Sequence, residues 1–328
     1  MFRALHLSIS GKIKSDLELV DVAFALHEPD GFLWVDFCND EGNEDEEILG
    51  KTFGFHPLAI DDALRETHVP KLDNWGKYLY LVFHAISFEK TESLVLSTLE
   101  LDFFVGKNYI VTYHDKPIEV LDHLWSSLQT NERALKFGSD HLLYRIVDEV
   151  VGSYQSIFDA LDDEIEELER QVFGRQSADT LERIYNIKRI VLQLRRIIFP
   201  QREVLNKLSR EEFEVIDTQA QVYFRDVYDH LVRMHDLTES MRDLVTGTLE
   251  TYLSIVNNRM NEIIKVLTVI TSFFMPMSFI ASFFGMNFFL PRSPIQTWME
   301  PPVFLGVLVM IFMTPFVMLY WLRRRGWM

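Results

Sequence analysis

One cysteine, Cys38, stands in a chain of 328 residues. That excludes an intrachain disulfide and any zinc site built on cysteines, and it fits a reducing compartment for the body of the chain. No P-loop, Gly-x-Ser-x-Gly or His-Glu-x-x-His sequence occurs, so ATP-driven transport and the common hydrolase chemistries have no anchor, and the chain reads as a non-enzyme. Among ten histidines, His56, His68 and His84 show no metal-ligand spacing. The N-terminal Met-Phe-Arg-Ala-Leu-His-Leu-Ser has neither the apolar stretch nor the cleavage pattern of a secretory signal, and the expectation is that no signal peptide is present. Positive charge is also scarce. With 32 Lys and Arg against 49 Asp and Glu the net charge is −17, which excludes the basic face that nucleic acid requires.

What is present is a folded composition, 48% hydrophobic and 25% charged, long enough for about two domains. Its charge is uneven. From Ile264 onward five basic residues meet one acid, Glu300, giving +4 and leaving −21 on the rest. An acidic body is either a solvated, solubilising surface or a sign that cations matter to it. The basic tail contains two apolar runs, Val266–Phe284 and Val303–Leu322, both free of charge. Each is about 20 residues, or about 30 Å of helix, the thickness of a bilayer's hydrocarbon. Pro276 and Pro315 interrupt them, which membrane helices tolerate. Lys265 precedes the first span and Arg323, Arg324 and Arg325 follow the second, so the positive-inside rule puts both termini in the cytoplasm and the connector outside. Tyr320, Trp321 and Trp327 lie near the inner boundary, where amphipathic rings are favoured.

The body divides in two. Residues 1–117 read as a mixed α/β domain. Phe32–Phe37, Tyr78–Phe88, Leu99–Val105 and Tyr109–His114 are aromatic and β-branched runs, and Gly106-Lys107-Asn108 is a hairpin signal between the last two. Helices are expected over 46–53 and 57–66, the latter with Pro57 in its first turn. Residues 118–263 read as helical. Ile157, Leu161, Ile165, Leu168 and Val172 recur at spacings of four and three, and Ile184, Ile187, Val191, Leu194 and Ile198 continue the pattern beyond a break at Phe173-Gly174-Arg175. The first of these helices carries an acidic cluster from Asp159 to Glu169, either a solvated face or a reservoir for cations. A third helix starts near Thr218 and meets no proline before Pro276. It is about 67 residues, on the order of 100 Å, too long to stand without partners. Residues 264–328 form the membrane part, with spans at about 264–284 and 303–322.

The first span ends in Gly285-Met286-Asn287. With that tripeptide in that position, the chain resembles the CorA family of divalent-cation transporters. The likeness extends along Ile264–Phe288 and to "FGFHPLAIDDAL" (Phe53–Leu64), "VPKLDNWGKYLYLVF" (Val69–Phe83), "YFRDVYDH" (Tyr223–His230) and the basic-aromatic C-terminus. It implies an α+β cytosolic domain followed by very long helices and two C-terminal transmembrane helices, assembled as a funnel-shaped homopentamer in the inner membrane. The first spans would line a central pore carrying Mg²⁺, with Gly285, Met286 and Asn287 as selectivity filter. It also implies a regulatory Mg²⁺ bridging Asp62 of one subunit and Asp226 of its neighbour, holding the pore shut, with Asp61 and Asp148 as secondary ligands. Carboxylate oxygens suit so hard a cation.

Helical phase can be set beside the pore expectation. At about 100° per residue, Asn261, Ile264, Thr268, Thr271, Met275, Ser278 and Ser282 share an arc of about 100°. Five of the seven are polar. They either line a pore or mediate helix packing in lipid. Mg²⁺ dehydrates reluctantly, so a pore that accepts it hydrated needs neutral oxygens. Asn261 would form a second ring if the resemblance holds, and Ile264, Leu267 and Met275 are candidates for hydrophobic constrictions. The chain departs from many relatives after Asn287, where Phe288-Phe289-Leu290-Pro291-Arg292 replaces a Met-Pro-Glu turn. The Gly-rich segment of the zinc-exchanging ZntB branch is also absent. Choice among Mg²⁺, Co²⁺, Ni²⁺ and Zn²⁺ stays open, as does a membrane-anchored divalent-cation sensor that does not conduct.

Overall fold

In the computed structural model of the chain, residues 2–9, 12–15, 17–28, 30–38, 44–65, 69–90, 94–130, 138–174, 178–285 and 301–326 are described. They divide into two compact units, Met1–Glu250 and Thr251–Met328.

The first unit is built on a seven-stranded sheet. Its strands are β1 (Phe2–Leu7), β2 (Ile13–Ser15), β3 (Phe32–Cys38), β4 (Lys71–Asn74), β5 (Leu79–Lys90), β6 (Leu94–Val105) and β7 (Tyr109–His114), in spatial order β2-β1-β3-β7-β6-β5-β4. β3 and β7 pair in parallel, and the other pairs are antiparallel. The four aromatic runs correspond to β3, β5, β6 and β7. The expected turn joins the last two, with the Gly106 amide donating to the Tyr109 carbonyl at 2.9 Å.

Alternation along each strand makes two buried faces. One carries Val35, Phe37, Tyr80, Val82, Phe104 and Val111 and packs against α1 (Leu19–Leu26), α2 (Glu44–Lys51) and α3 (Pro57–Leu64). Phe55 stacks on Phe104 there at 4.2 Å between ring centroids. The other face carries Trp34, Phe83 and Phe103, and Trp34 lies 4.7 Å from Trp125 of α4 (Glu119–Thr130). The helix expected over 46–53 begins two residues earlier, as α2. That expected over 57–66 is α3, capped by the His56 ring accepting the Leu58 amide at 3.2 Å, with Pro57 at its start. Glu66 lies outside the described residues.

Five further helices follow among the described residues. α5 (Ser139–Ser153) and α6 (Gln155–Phe173) are separated by Tyr154, and α7 spans Ala178–Arg210. All ten apolar positions expected on the inner faces of α6 and α7 are buried. α7 continues through Pro200. The next residue, Gln201, is fully buried and donates to the His84 carbonyl of β5 at 2.9 Å. α8 runs from Thr218 to Gly285, 68 residues. In the second unit α9 spans Pro301–Arg324.

Candidate ion pathway and regulatory carboxylates

Within the first unit, α8 buries Ala220, Phe224, Val227, Leu231, Met234, Thr238, Met241, Val245 and Thr248. The spacing alternates four and three without a slip, the 3.5-residue period of a coiled-coil seam. Contacts fix the seam's partners. Tyr144 meets Tyr223 at 5.1 Å, and Glu169 meets Thr248 at 3.5 Å, so α5 and α6 run parallel to α8. Arg195 pairs with Glu239 at 2.7 Å, and Phe199 lies 5.9 Å from His235, so α7 runs antiparallel. The two buried hydroxyls of the seam donate to carbonyls one turn back, Thr238 to Met234 at 2.7 Å and Thr248 to Leu244 at 2.8 Å. A buried hydroxyl must find such a partner.

From Thr251 to Gly285 no residue of α8 is buried. Asn261, Ile264, Leu267, Thr268, Thr271, Met275, Ser278, Ser282 and Gly285 are all exposed. Thr268 donates to the Ile264 carbonyl at 2.7 Å, and Thr271 to Leu267 at 2.9 Å. The proton is thereby spent inside the helix, and each hydroxyl turns only acceptor lone pairs outward. That is the polarity that the hydrogens of a hydrated cation seek. Met286 and Asn287 lie outside the described residues. α9 is likewise almost entirely exposed. A soluble core helix of this composition would be covered, so neither apolar run is one. At its end Arg323 and Arg324 occupy the last turn, where cations favour the helix dipole, and the Arg325 guanidinium lies 5.3 Å from the Trp321 ring.

The regulatory candidates fall into two groups. Helix α3 packs through Ala59, Ile60 and Ala63, which leaves Asp61 and Asp62 at its margins. Asp61 is exposed and pairs with Arg65 one turn on, at 3.1 Å. Half-buried Asp62 accepts a hydrogen bond from the Lys71 ammonium at the start of β4. Lys71 also lies 3.3 Å from Asp73 and 5.3 Å from the Tyr80 ring. A tight return from β4 to β5 positions it. Gly76 takes a positive φ of 79°, and the Asn74 side chain accepts its amide at 2.8 Å. Burial works against charge on Lys71, but Asp62 and Asp73 outweigh it and hold the ammonium above its ordinary range.

Asp226 is exposed on α8, away from the heptad seam. Half-buried Asp148 of α5 lies close enough to feel it. Burial first, and then the Asp226 charge, push the Asp148 carboxyl up, against the opposing pull of His230 and Tyr144. The Tyr144 hydroxyl lies 3.5 Å from Asp148. Asp148 thus feels the Asp226 charge within one chain, whereas Asp62 is engaged with Lys71. Sequence reasoning passed over Lys71, Tyr144 and His230. Lys71 and His230 stand inside the two quoted motifs, so a signal for both was present. Among the described residues no group of three or more His, Cys, Asp or Glu side chains is arranged to hold a metal.

Comparison with known proteins agrees with this layout. The family model for CorA-like Mg²⁺ transporter proteins matches residues 29–324. The chain is 34% identical over 292 residues to the cobalt/magnesium transport protein CorA of Thermotoga maritima, covering 88% of this chain and 83% of that protein. It is 27% identical over 300 residues to the protein of the same name from Methanocaldococcus jannaschii, covering 90% and 91%. Its fold matches the complete structure of the CorA magnesium transporter from Methanocaldococcus jannaschii with a TM-score of 0.82, across 100% of this chain and 99% of that one. Two apolar, uncovered helices follow an acidic, sheet-based unit, and the class is a membrane transport protein. The chain belongs to the CorA-like Mg²⁺ transporter family.

Proposed function

We propose that the chain passes hydrated Mg²⁺, with Co²⁺ and Ni²⁺ as further substrates, through the central pore of a homopentamer in the inner membrane. Both termini face the cytoplasm. Residues 1–117 and 118–263 make up the cytosolic part, which holds the sensor, and 264–328 the membrane part. The observation that carries this reading is the oxygen stripe on an otherwise apolar, uncovered helix: Thr268 and Thr271 have given their protons to the backbone and present bare acceptors. Gly285, Met286 and Asn287 form the outer filter, with Asn261 as an inner ring and Ile264, Leu267 and Met275 as constrictions that close by excluding water.

Cytosolic Mg²⁺ shuts the pore by bridging Asp62 and Asp226 of the partner subunit, with Asp61 and Asp148 close by. The side chains fit such an ion. Asp62 is part-exposed and Asp226 exposed, both offer hard oxygens, and neither sits in a group able to hold a metal within one chain among the described residues. An ion shared between two chains meets that requirement.

Flux of Mg²⁺ into liposomes, read with an enclosed divalent-sensitive dye, tests the pore. Asn287→Ala leaves assembly intact and abolishes flux, because the ring of amide oxygens is lost and no core is cut. Wild-type flux from that variant would remove Asn287 from the filter. Absence of divalent flux from verified wild-type pentamers would leave a sensor that does not conduct.

A further inference from the structure

We propose that Lys71 is a tethered competitor for the divalent cation at Asp62. Its ammonium occupies the carboxylate until an arriving ion displaces it onto Asp73, and so it sets the concentration at which the sensor responds. The inference rests on Asp62 being half of the regulatory site.

The geometry gives the ammonium two carboxylate partners. Lys71 Nζ contacts Asp62 Oδ2 directly and lies 3.3 Å from Asp73 Oδ2. Lys71 and Asp73 are alternate residues of β4, so their side chains leave the same face of the strand. The side chains of Lys71, Asp62 and Asp73 are 32%, 36% and 44% exposed, so water and ions reach all three. Beneath them the Tyr80 ring lies 5.3 Å from the ammonium.

Charge counting gives the direction. Two carboxylates and one ammonium carry a net charge of −1, enough to attract a cation. A divalent ion on Asp62 cannot share that oxygen with the ammonium, because the two cations repel at contact distance. Asp73 takes the displaced charge after a short shift, so Lys71 is not left unpaired. Binding is therefore an exchange of partners, and its midpoint depends on how firmly Lys71 holds each acid. A purely structural ion pair between α3 and β4 would behave otherwise. Its loss would lower thermal stability and leave the ion's midpoint in place.

The test uses the full-length protein purified in detergent, with the Mg²⁺ midpoint for protection from limited proteolysis as readout. Lys71→Met keeps the apolar stem over Tyr80 and removes the charge, and its midpoint falls roughly fivefold, the scale of one partly exposed ion pair. Lys71→Arg keeps the charge and the wild-type midpoint. Asp73→Asn removes the alternative partner and raises the midpoint, an opposite shift that still decides the question if Lys71→Met does not fold. An unchanged or higher midpoint in folded Lys71→Met, or an unchanged one in Asp73→Asn, overturns the proposal. Asp62→Asn separates the two layers of the argument. If it abolishes protection while Lys71→Met changes nothing, the sensor stands and the competitor fails. If Asp62→Asn keeps the wild-type midpoint, the sensor itself fails.

Discussion

In its first 33 residues α8 buries a side chain every third or fourth position, from Ala220 to Thr248, and in the remainder, from Thr251 to Gly285, it buries none. The second stretch is nevertheless the more apolar of the two. Burial within the chain therefore does not follow hydrophobicity along this helix. It follows periodicity. The first stretch confines its apolar residues to a seam that α5, α6 and α7 cover. The second carries them on every side, as a helix does when lipid is its solvent. Threonine shows the same division. Thr238 and Thr268 make the same bond to the carbonyl one turn back, but in the seam the bond satisfies a buried donor. In the exposed stretch it leaves an outward acceptor.

The largest test of this contrast is a truncation in each half. Leu231 is fully buried and Leu267 is 61% exposed. Leu231→Ala lowers the stability of the first unit by about 3 kcal/mol, the scale of a filled site emptied. Leu267→Ala leaves thermal unfolding unchanged and alters only flux. Calorimetry beside liposome flux checks both, and equal thermal effects would erase the distinction between the halves.

Next in size is the proposed sensor, whose acids stand on α3 and on the first half of α8. A bridging ion biases a gate only by its difference in affinity between the two states. Asp62→Asn and Asp226→Asn each lose inhibition by millimolar Mg²⁺ on the cytosolic side while pentamers persist. The double variant is little worse than either single, since one shared site is destroyed once. Strictly additive effects in flux assays would mean two separate sites.

A smaller effect belongs to the exposed hydroxyls. Thr268→Val preserves shape and removes the acceptor, so Mg²⁺ flux falls about tenfold, or about 1.4 kcal/mol in the barrier, with no loss of assembly. The same exchange at Thr238 acts in the covered stretch. It changes stability slightly and flux not at all. A fall in flux from Thr238→Val would show that the seam, too, governs conduction.

The smallest expected change is at the margin of the seam. Arg195 and Glu239 are 48% and 27% exposed, so Arg195→Ala costs only about 0.5 kcal/mol, because solvent screens the pair. A loss of several kcal/mol in chemical denaturation would mean that the α7–α8 contact depends on charge rather than on the apolar seam.

Much of this layout was legible in the residues. The strongest strands announce themselves by local composition, and β3, β5, β6 and β7 stand where the aromatic runs place them. β1, β2 and β4 do not. β1 carries Arg3 and His6, β2 has three residues, and β4 reads Lys-Leu-Asp-Asn. Such strands are recruited by pairing with stronger neighbours, not by propensity. Pro200 shows the converse. It is a helix breaker by rule, yet α7 continues past it, because apolar residues on both sides are already buried. Among the candidate site residues, the stripe from Asn261 to Ser282 could be phased from the sequence, since all its members share one helix. The partners of the acids could not.

The sequence by itself determined the elements whose cause is local. Two uncharged runs of bilayer length make spans, and a four-three repeat makes a helix with one buried side. These depend on spacing along the chain, which folding does not alter. Tertiary structure alone decided which charges meet. The Lys71 ammonium goes to Asp62, nine residues away, because α3 lies beside the edge strand. Asp148 shares its surroundings with Asp226 and His230 because α5 runs parallel to α8. The parallel pairing of β3 with β7 is of the same kind. An ionic or ladder contact gains free energy only after packing brings two distant surfaces together, and no local pattern states which surfaces those are.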